Sequence, residues 1–235
     1  MNLLLLENED FVHEGYIRVR GRRMEHVRKV HRAAKGTELR VGVLGGKTGV
    51  GRIERIDGEA LEMTVRLEAD PPPPLPMRLI LALPRPKVLN RTIAAAVSMG
   101  IREIDLINSW RVEKAYWMSP RLSEENLRMQ AILGLEQAGD TILPTIRQYR
   151  LFVPFVRDEL SQSIGGRLAL VADPGGETPC PRDVAQPVVL AIGPEGGFVE
   201  QELATLREVG FTPVSVGKRI LRVETALAYV VGRMF

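Results

Sequence analysis

The chain has 235 residues, of which 45% are apolar, 26% charged and 5% aromatic, a balance that excludes collagen-like, low-complexity and disordered classes. A single cysteine, Cys180, excludes an internal disulfide and points to a reducing, cytoplasmic compartment. Net charge is only +3, but twelve Lys and Arg face three Glu within residues 15–55, giving +9 there and −6 over the remainder.

In chain order, the run Leu3-Leu4-Leu5-Leu6 lacks a basic flank and is followed by Glu7, Glu9 and Asp10, so no signal peptide is expected. No apolar stretch approaches the roughly 20 residues of a membrane span. The basic segment opens with Arg18, Arg20, Arg22, Arg23, Arg28, Lys29 and Arg32. Arginine's fixed fork of donors suits phosphate oxygens of a structured nucleic acid, and these seven are the candidate RNA contacts. A solvated face with its acids supplied elsewhere in three dimensions is the alternative.

One helix-period segment is expected over 24–34, with Val27 and Val30 on its apolar side. Short β-rich segments follow at 38–44, 50–56 and 61–67, separated by Gly45-Gly46 and Asp57-Gly58 turns. Residues 1–69 therefore read as a small β-barrel. Residues 70–76, Asp-Pro-Pro-Pro-Pro-Leu-Pro, cannot donate backbone hydrogen bonds at their prolines, and read as a linker.

From residue 77 to 235 the rhythm becomes α/β. Strands are expected at 78–83, 103–107, 168–172, 188–192 and 213–216. Helices are expected at 88–99, closed by Gly100; at 123–138, capped by Ser123 and closed by Gly139; and at 199–209 and 223–234.

Two strand–loop–helix junctions carry the chemistry. The strand 188–192 runs into Gly193-Pro194-Glu195-Gly196-Gly197, where glycines let the backbone approach a ligand and a helix start offers unpaired N–H groups. The spacing is not Gly-x-Gly-x-x-Gly and no Walker lysine follows, so neither a dinucleotide nor a P-loop site is indicated. The second junction runs Val216-Gly217-Lys218-Arg219-Ile220-Leu221-Arg222 into Val223-Glu224-Thr225-Ala226. Paired junctions at strand ends of a parallel sheet are where a ligand crevice forms. Taken singly, Arg222 and Glu224 could equally be a surface ion pair and Thr225 a helix cap.

The strings AIGPEGGF (191–198), GF (210–211) and VGKRILRVETA (216–226), in this order near the C-terminus, resemble the RsmE family of small-subunit ribosomal RNA methyltransferases in the SPOUT superfamily. Arg85-Pro86-Lys87 and Glu136-Gln137-Ala138-Gly139 are further partial matches. The resemblance implies an α/β fold: a C-terminal SPOUT methyltransferase domain with a trefoil knot, after an N-terminal PUA-like β-barrel. It also implies a homodimer that transfers methyl from S-adenosylmethionine to N3 of one uridine of 16S ribosomal RNA, on the 30S subunit. Carried onto this sequence, the cofactor loops would be Ala172 with Asp173; Ile192, Gly193, Pro194, Glu195, Gly196 and Gly197; and Val216, Gly217, Lys218, Arg219, Ile220 and Leu221; with Arg222, Glu224, Thr225 and Ala226 lining the nearby site. Two departures from the family's strings are the alanine-rich 94–100 segment and Asp140, which stands where a basic residue is expected.

The substrate's chemistry adds roles. N3 of uracil carries a proton and is a poor nucleophile, so a cation for the developing ring anion and a proton acceptor are both wanted. Arg222 takes the first role and Glu224 the second, or Glu224 holds the arginine. A sulfonium methyl donor is already activated and requires no metal; the three histidines, His13, His26 and His31, are all N-terminal and form no ligand set with Cys180. His26 and His31 lie among basic residues and read as solvated. Trp110, Tyr116 and Trp117 read as core or dimer packing, with stacking on a flipped base as the alternative. A non-catalytic assembly protein and a ribose 2′-hydroxyl methyltransferase are the competing functions.

Overall fold

The computed structural model describes residues 2–30 and 32–235; His31 lies outside the described residues. The chain divides into two units, Met1–Pro73 with Ile132–Leu143, and Pro74–Ala131 with Pro144–Phe235.

The first unit is built on six strands: β1 (Leu4–Leu6), β2 (Phe11–His13), β3 (Tyr16–Val19), β4 (Glu38–Val43), β5 (Thr48–Ile56) and β6 (Leu61–Ala69). They lie in the order β1-β4-β5-β6-β3-β2, antiparallel except where β1 runs parallel to β4. Leu4 and Leu6 at one edge share a core with Ile17, Val19, Ile53 and Met63, and Phe11 of the other edge packs on the same cluster. The sheet therefore curls, barrel-like, about one apolar centre, with bulges in β5 supplying local bending. β1, β2 and β3 carried no signal that separated them from loops, because each is only three or four residues long.

The helix expected over 24–34 instead spans Gly21–Lys29. Arg20 is extended at its start, and Arg32 adopts a positive φ of 50° that no helix tolerates. Met24 and Val27 turn its apolar side into the core.

Residues 132–143 belong to this unit, although the sequence places them in the α/β region. The reasons are polar. The amides of Asn2 and Leu3 donate to the Glu136 carbonyl at 2.8 and 3.0 Å, and Arg22 forks onto its carboxylate at 3.0 and 2.8 Å. Thr141 Oγ1 donates to the Gly46 carbonyl at 2.5 Å. Asp140, buried, accepts from the amides of Thr141 and Ile142, so the residue that departs from the family string builds this turn.

The second unit carries β7 (Met77–Ala82), β8 (Glu103–Ile107), β9 (Thr145–Tyr149), β10 (Leu168–Ala172), β11 (Thr178–Pro179), β12 (Val188–Ile192) and β13 (Thr212–Ser215). All seven are parallel, in the order β11-β13-β10-β12-β7-β8-β9. β7 and β12 are wholly buried, which is why they read as continuous apolar runs. From this adjacent pair, β8 and β9 extend to one side and β10, β13 and β11 to the other. That reversal of direction is where open parallel sheets form crevices at their strand ends.

Helices Pro86–Ser98, Glu124–Ala138, Glu200–Glu208 and Val223–Met234 match the expected ones within two residues at each end. Pro86 at the first turn explains an earlier start than expected, since proline's missing N–H is free of consequence there. Ser123 Oγ accepts from the Asn126 amide at 3.2 Å, the expected cap. The helical stretch 152–163, with a π-helical middle at Phe155–Leu160, and strand β9 were not anticipated. Among the described residues no helix is long and apolar enough to cross a membrane.

Candidate active site

The loops after β10, β12 and β13 converge on a small cleft of about 80 Å³ that opens to solvent. Its floor is Ala172 and Asp173 from the end of β10 and Ile192, Gly193 and Pro194 from the end of β12. Glu195 and Gly197 continue the second loop, and Val216, Gly217, Ile220 and Leu221 supply the third. The closing helix adds Ala226 together with Val223 and Val230. These last two, with Pro174 and Val214, were not among the sequence's candidate binding residues, whereas Arg219, also in the lining, falls within the expected 216–221 loop. The 223–226–230 spacing puts one helix face toward the cleft, a periodicity that could have revealed them.

The backbone explains the glycines. A Cβ on Gly193 would stand 2.9 Å from the Phe198 amide nitrogen and 3.0 Å from backbone atoms of Gly197, so a side chain cannot be accommodated there without moving the main chain. Gly217 has φ +125°, a conformation that L side chains rarely adopt. Both loops therefore present bare main chain to the cleft, while Ile192, Leu221 and Val230 make its walls apolar.

The remaining candidates sit at the rim. Gly196 is turned away from the cleft, its carbonyl accepting a short hydrogen bond from Arg111 Nη1. Arg222 is exposed at the N-cap of the closing helix, extended at φ −67° and ψ 152°. Thr225 is exposed and Glu224 half-buried, with 22% of its side chain accessible. The ion-pair partner of Glu224 is Arg91, Nη2 to Oε1 3.4 Å, rather than Arg222. Glu195 Oε1 accepts from the Arg85 amide at 3.0 Å, which ties the loop after β12 to the start of helix Pro86–Ser98. A polar, cation-bearing rim thus surrounds an apolar, glycine-floored cleft.

The candidate RNA contacts of the first unit fall into two groups. Arg18 bonds Glu62 at 2.9 Å, Arg22 forks onto Glu136, and Arg23 forks onto Asp10 at 2.6 and 2.9 Å. These three hold acids that the fold buries, so they serve the barrel's own structure. Lys29 pairs with Glu25 on the surface. Arg20, Arg28 and Arg32 are exposed and form no ion pair among the described residues. Among those residues, no group of three or more His, Cys, Asp or Glu could hold a metal ion.

The pattern of RNA methyltransferase domains matches residues 71–234. The chain belongs to that family. It is 31% identical to ribosomal RNA small subunit methyltransferase E of Treponema pallidum, over 96% of this chain and 87% of that protein. A second relative, ribosomal RNA small subunit methyltransferase E 1 of Borreliella burgdorferi, is 25% identical over 96% of this chain and 94% of its own length. The fold is shared with a ribosomal RNA small subunit methyltransferase E from Neisseria gonorrhoeae solved with S-adenosyl methionine, at a TM-score of 0.71 and 22% identity, covering 98% of this chain and 96% of that one.

Proposed function

We propose that this methyltransferase transfers the methyl group of S-adenosylmethionine to N3 of a specific uridine in 16S ribosomal RNA, acting in the cytoplasm on the assembled 30S subunit as a homodimer. The observation that carries the reading is the cleft at the ends of β10, β12 and β13, within the stretch that matches RNA methyltransferases. Its composition fits the cofactor: apolar walls for an adenine ring and bare main chain at Gly193 and Gly217 for polar hydrogen bonds. Ile192, Gly193, Pro194, Glu195 and Gly197 of the loop after β12 and the loop 216–221 would hold the cofactor, with Ala172, Asp173 and Ala226 beside them. The order β12-β10-β13, with the loops after β12 and β13 lining one cleft, supports the trefoil knot expected from the family resemblance. The curled sheet of the first unit supports a PUA-like RNA-binding barrel over 1–69, followed by the 70–76 linker and the 77–235 methyltransferase domain.

S-adenosylmethionine supplies a methyl group already activated on a sulfonium. The chain's own residues must then manage the proton and charge of the uracil ring. Arg222, exposed at the cleft's edge, offers a cation where negative charge develops on the ring oxygens. Glu224 accepts the N3 proton, directly or through water, and Arg91, paired with it at 3.4 Å, holds the carboxylate in place.

The test is transfer of labelled methyl to unmodified small subunits, with free ribosomal RNA in parallel and nucleoside analysis. 3-Methyluridine from the particle is the expected product. A 2′-O-methylnucleoside, or no label from protein that binds the cofactor, overturns the reading.

A further inference from the structure

Loop 108–118, between β8 and helix Glu124–Ala138, holds the most exposed large apolar side chain among the described residues. Trp110 is 84% exposed, and Met118 of the same loop is 78% exposed. Such exposure ordinarily accompanies a mobile tip, yet this backbone is clamped. The Trp110 amide donates to Glu202 Oε1 at 2.8 Å, and Ser109 Oγ to Glu202 Oε2 at 3.2 Å. Glu202 is itself buried and caps its helix by accepting from the Val199 amide at 3.0 Å. Further along, Trp117 Nε1 donates to Asn108 Oδ1 at 2.9 Å and its indole is covered by the Arg150 guanidinium, 5.3 Å from the ring centroid. The chain thus holds the Trp110 main chain rigidly and leaves the indole in water.

Two surface hollows meet at this indole. One is apolar, lined by Phe152, Val153 and Val199; the other carries Lys114 and Arg150 beside Trp117 and Met118. Arg111, the next residue, hydrogen-bonds the Gly196 carbonyl of the loop after β12. A flat aromatic face, an apolar hollow and three cations, Arg111, Lys114 and Arg150, therefore lie together beside the loop that rims the cofactor cleft.

We infer that Trp110 is a stacking platform for an unpaired base of the RNA strand entering the active site, with Arg111, Lys114 and Arg150 tracking its phosphates. Charge decides the occupant: an apolar partner surface would leave these cations without counterions, whereas single-stranded RNA offers both π-faces and phosphates. Ring stacking is sequence-tolerant, so the platform positions the strand while the cleft selects the base. The inference rests on RNA being the substrate, and it names which part of that substrate this wall receives.

Trp110 is the exposed member of the chain's two tryptophans, so fluorescence reports on it directly. A single-stranded hexauridylate should quench wild-type emission, and Trp110→Phe should lose the quench while keeping affinity. Trp110→Ala should weaken binding about tenfold, in line with the loss of one stacked base, with S-adenosylmethionine affinity unchanged. Equal RNA affinity in Trp110→Ala overturns the platform even if the wild type methylates ribosomal RNA. A change of oligomeric state in Trp110→Ala with RNA affinity intact also overturns it, and assigns the face to a second copy of the chain. Failure of the wild type to methylate ribosomal RNA while hexauridylate still quenches Trp110 would refute the proposed reaction and uphold the platform.

Discussion

Glu224 and Arg91 face each other across two helices, Oε1 to Nη2 3.4 Å, with the carboxylate three-quarters shielded and the guanidinium largely in water. The acid on the closing helix is thereby pinned at the rim of the cleft by a residue of helix Pro86–Ser98. Glu224→Gln should lower kcat about 100-fold, the usual scale for removing a proton acceptor, while leaving cofactor affinity intact. Arg91→Ala should cost less, because it loosens the acid without removing it. Single-turnover methyl transfer measures both, and unchanged rates in Glu224→Gln would remove it from the mechanism.

Gly193 and Gly196 stand three residues apart in one loop with different surroundings. A Cβ on Gly193 meets main chain at 2.9–3.0 Å, whereas one on Gly196 meets Arg111 Cδ, a flexible side chain, at 2.8 Å. Gly193→Ala should abolish S-adenosylmethionine binding in calorimetry. Gly196→Ala should retain it and disturb only the Arg111 contact.

Arginines in the first unit separate by role. Replacing Arg20, Arg28 and Arg32 by Glu should weaken RNA binding and flatten its salt dependence, with the melting temperature unchanged. Arg22→Ala and Arg23→Ala should instead destabilise the fold by about 1–2 kcal/mol each, since each leaves a buried carboxylate without its fork. Paired thermal melts and salt titrations distinguish the two classes.

Glu62 is held below the ordinary glutamate range, first by the hydrogen bond from Tyr16 and then by that from Arg18, against an opposing desolvation. Because the folded pKa lies below the unfolded one, this stabilisation is complete above the unfolded value, about pH 4.3, and is lost as pH falls through the folded one. Glu62→Gln should therefore lose less stability than the wild type between pH 6 and pH 3. Equal acid sensitivity in thermal melts would show that other carboxylates dominate.

Most of the α/β unit was legible because its strands are buried on both faces and its helices carry explicit ends. β8, β10 and β12 fall where the apolar runs placed them, and Ser123 caps as its position suggested. β9 was not legible, since an edge strand reading Thr-Ile-Arg-Gln-Tyr is mostly exposed and lacks the apolar run of its neighbours. The cleft's loops could be read because glycines at strand ends have few other uses, whereas Val223 and Val230 looked like ordinary core. Arg22 and Arg23 could not be told from surface arginines, because their partners, Glu136 and Asp10, are 114 and 13 residues away. Long-range ion pairing leaves no local trace.

The claim of residues 132–143 on the first unit bears on how this protein can be dissected. A truncation in the proline-rich connector would strip Glu136 of Arg22 and Thr141 of its Gly46 acceptor, exposing a segment shaped to be covered. The catalytic fragment so produced would carry a raw patch, and any loss of its activity would report on that wound as much as on missing RNA contacts. Modularity in this enzyme is a property of space, not of the gene: the amino-terminal part cannot be swapped or removed as a contiguous cassette.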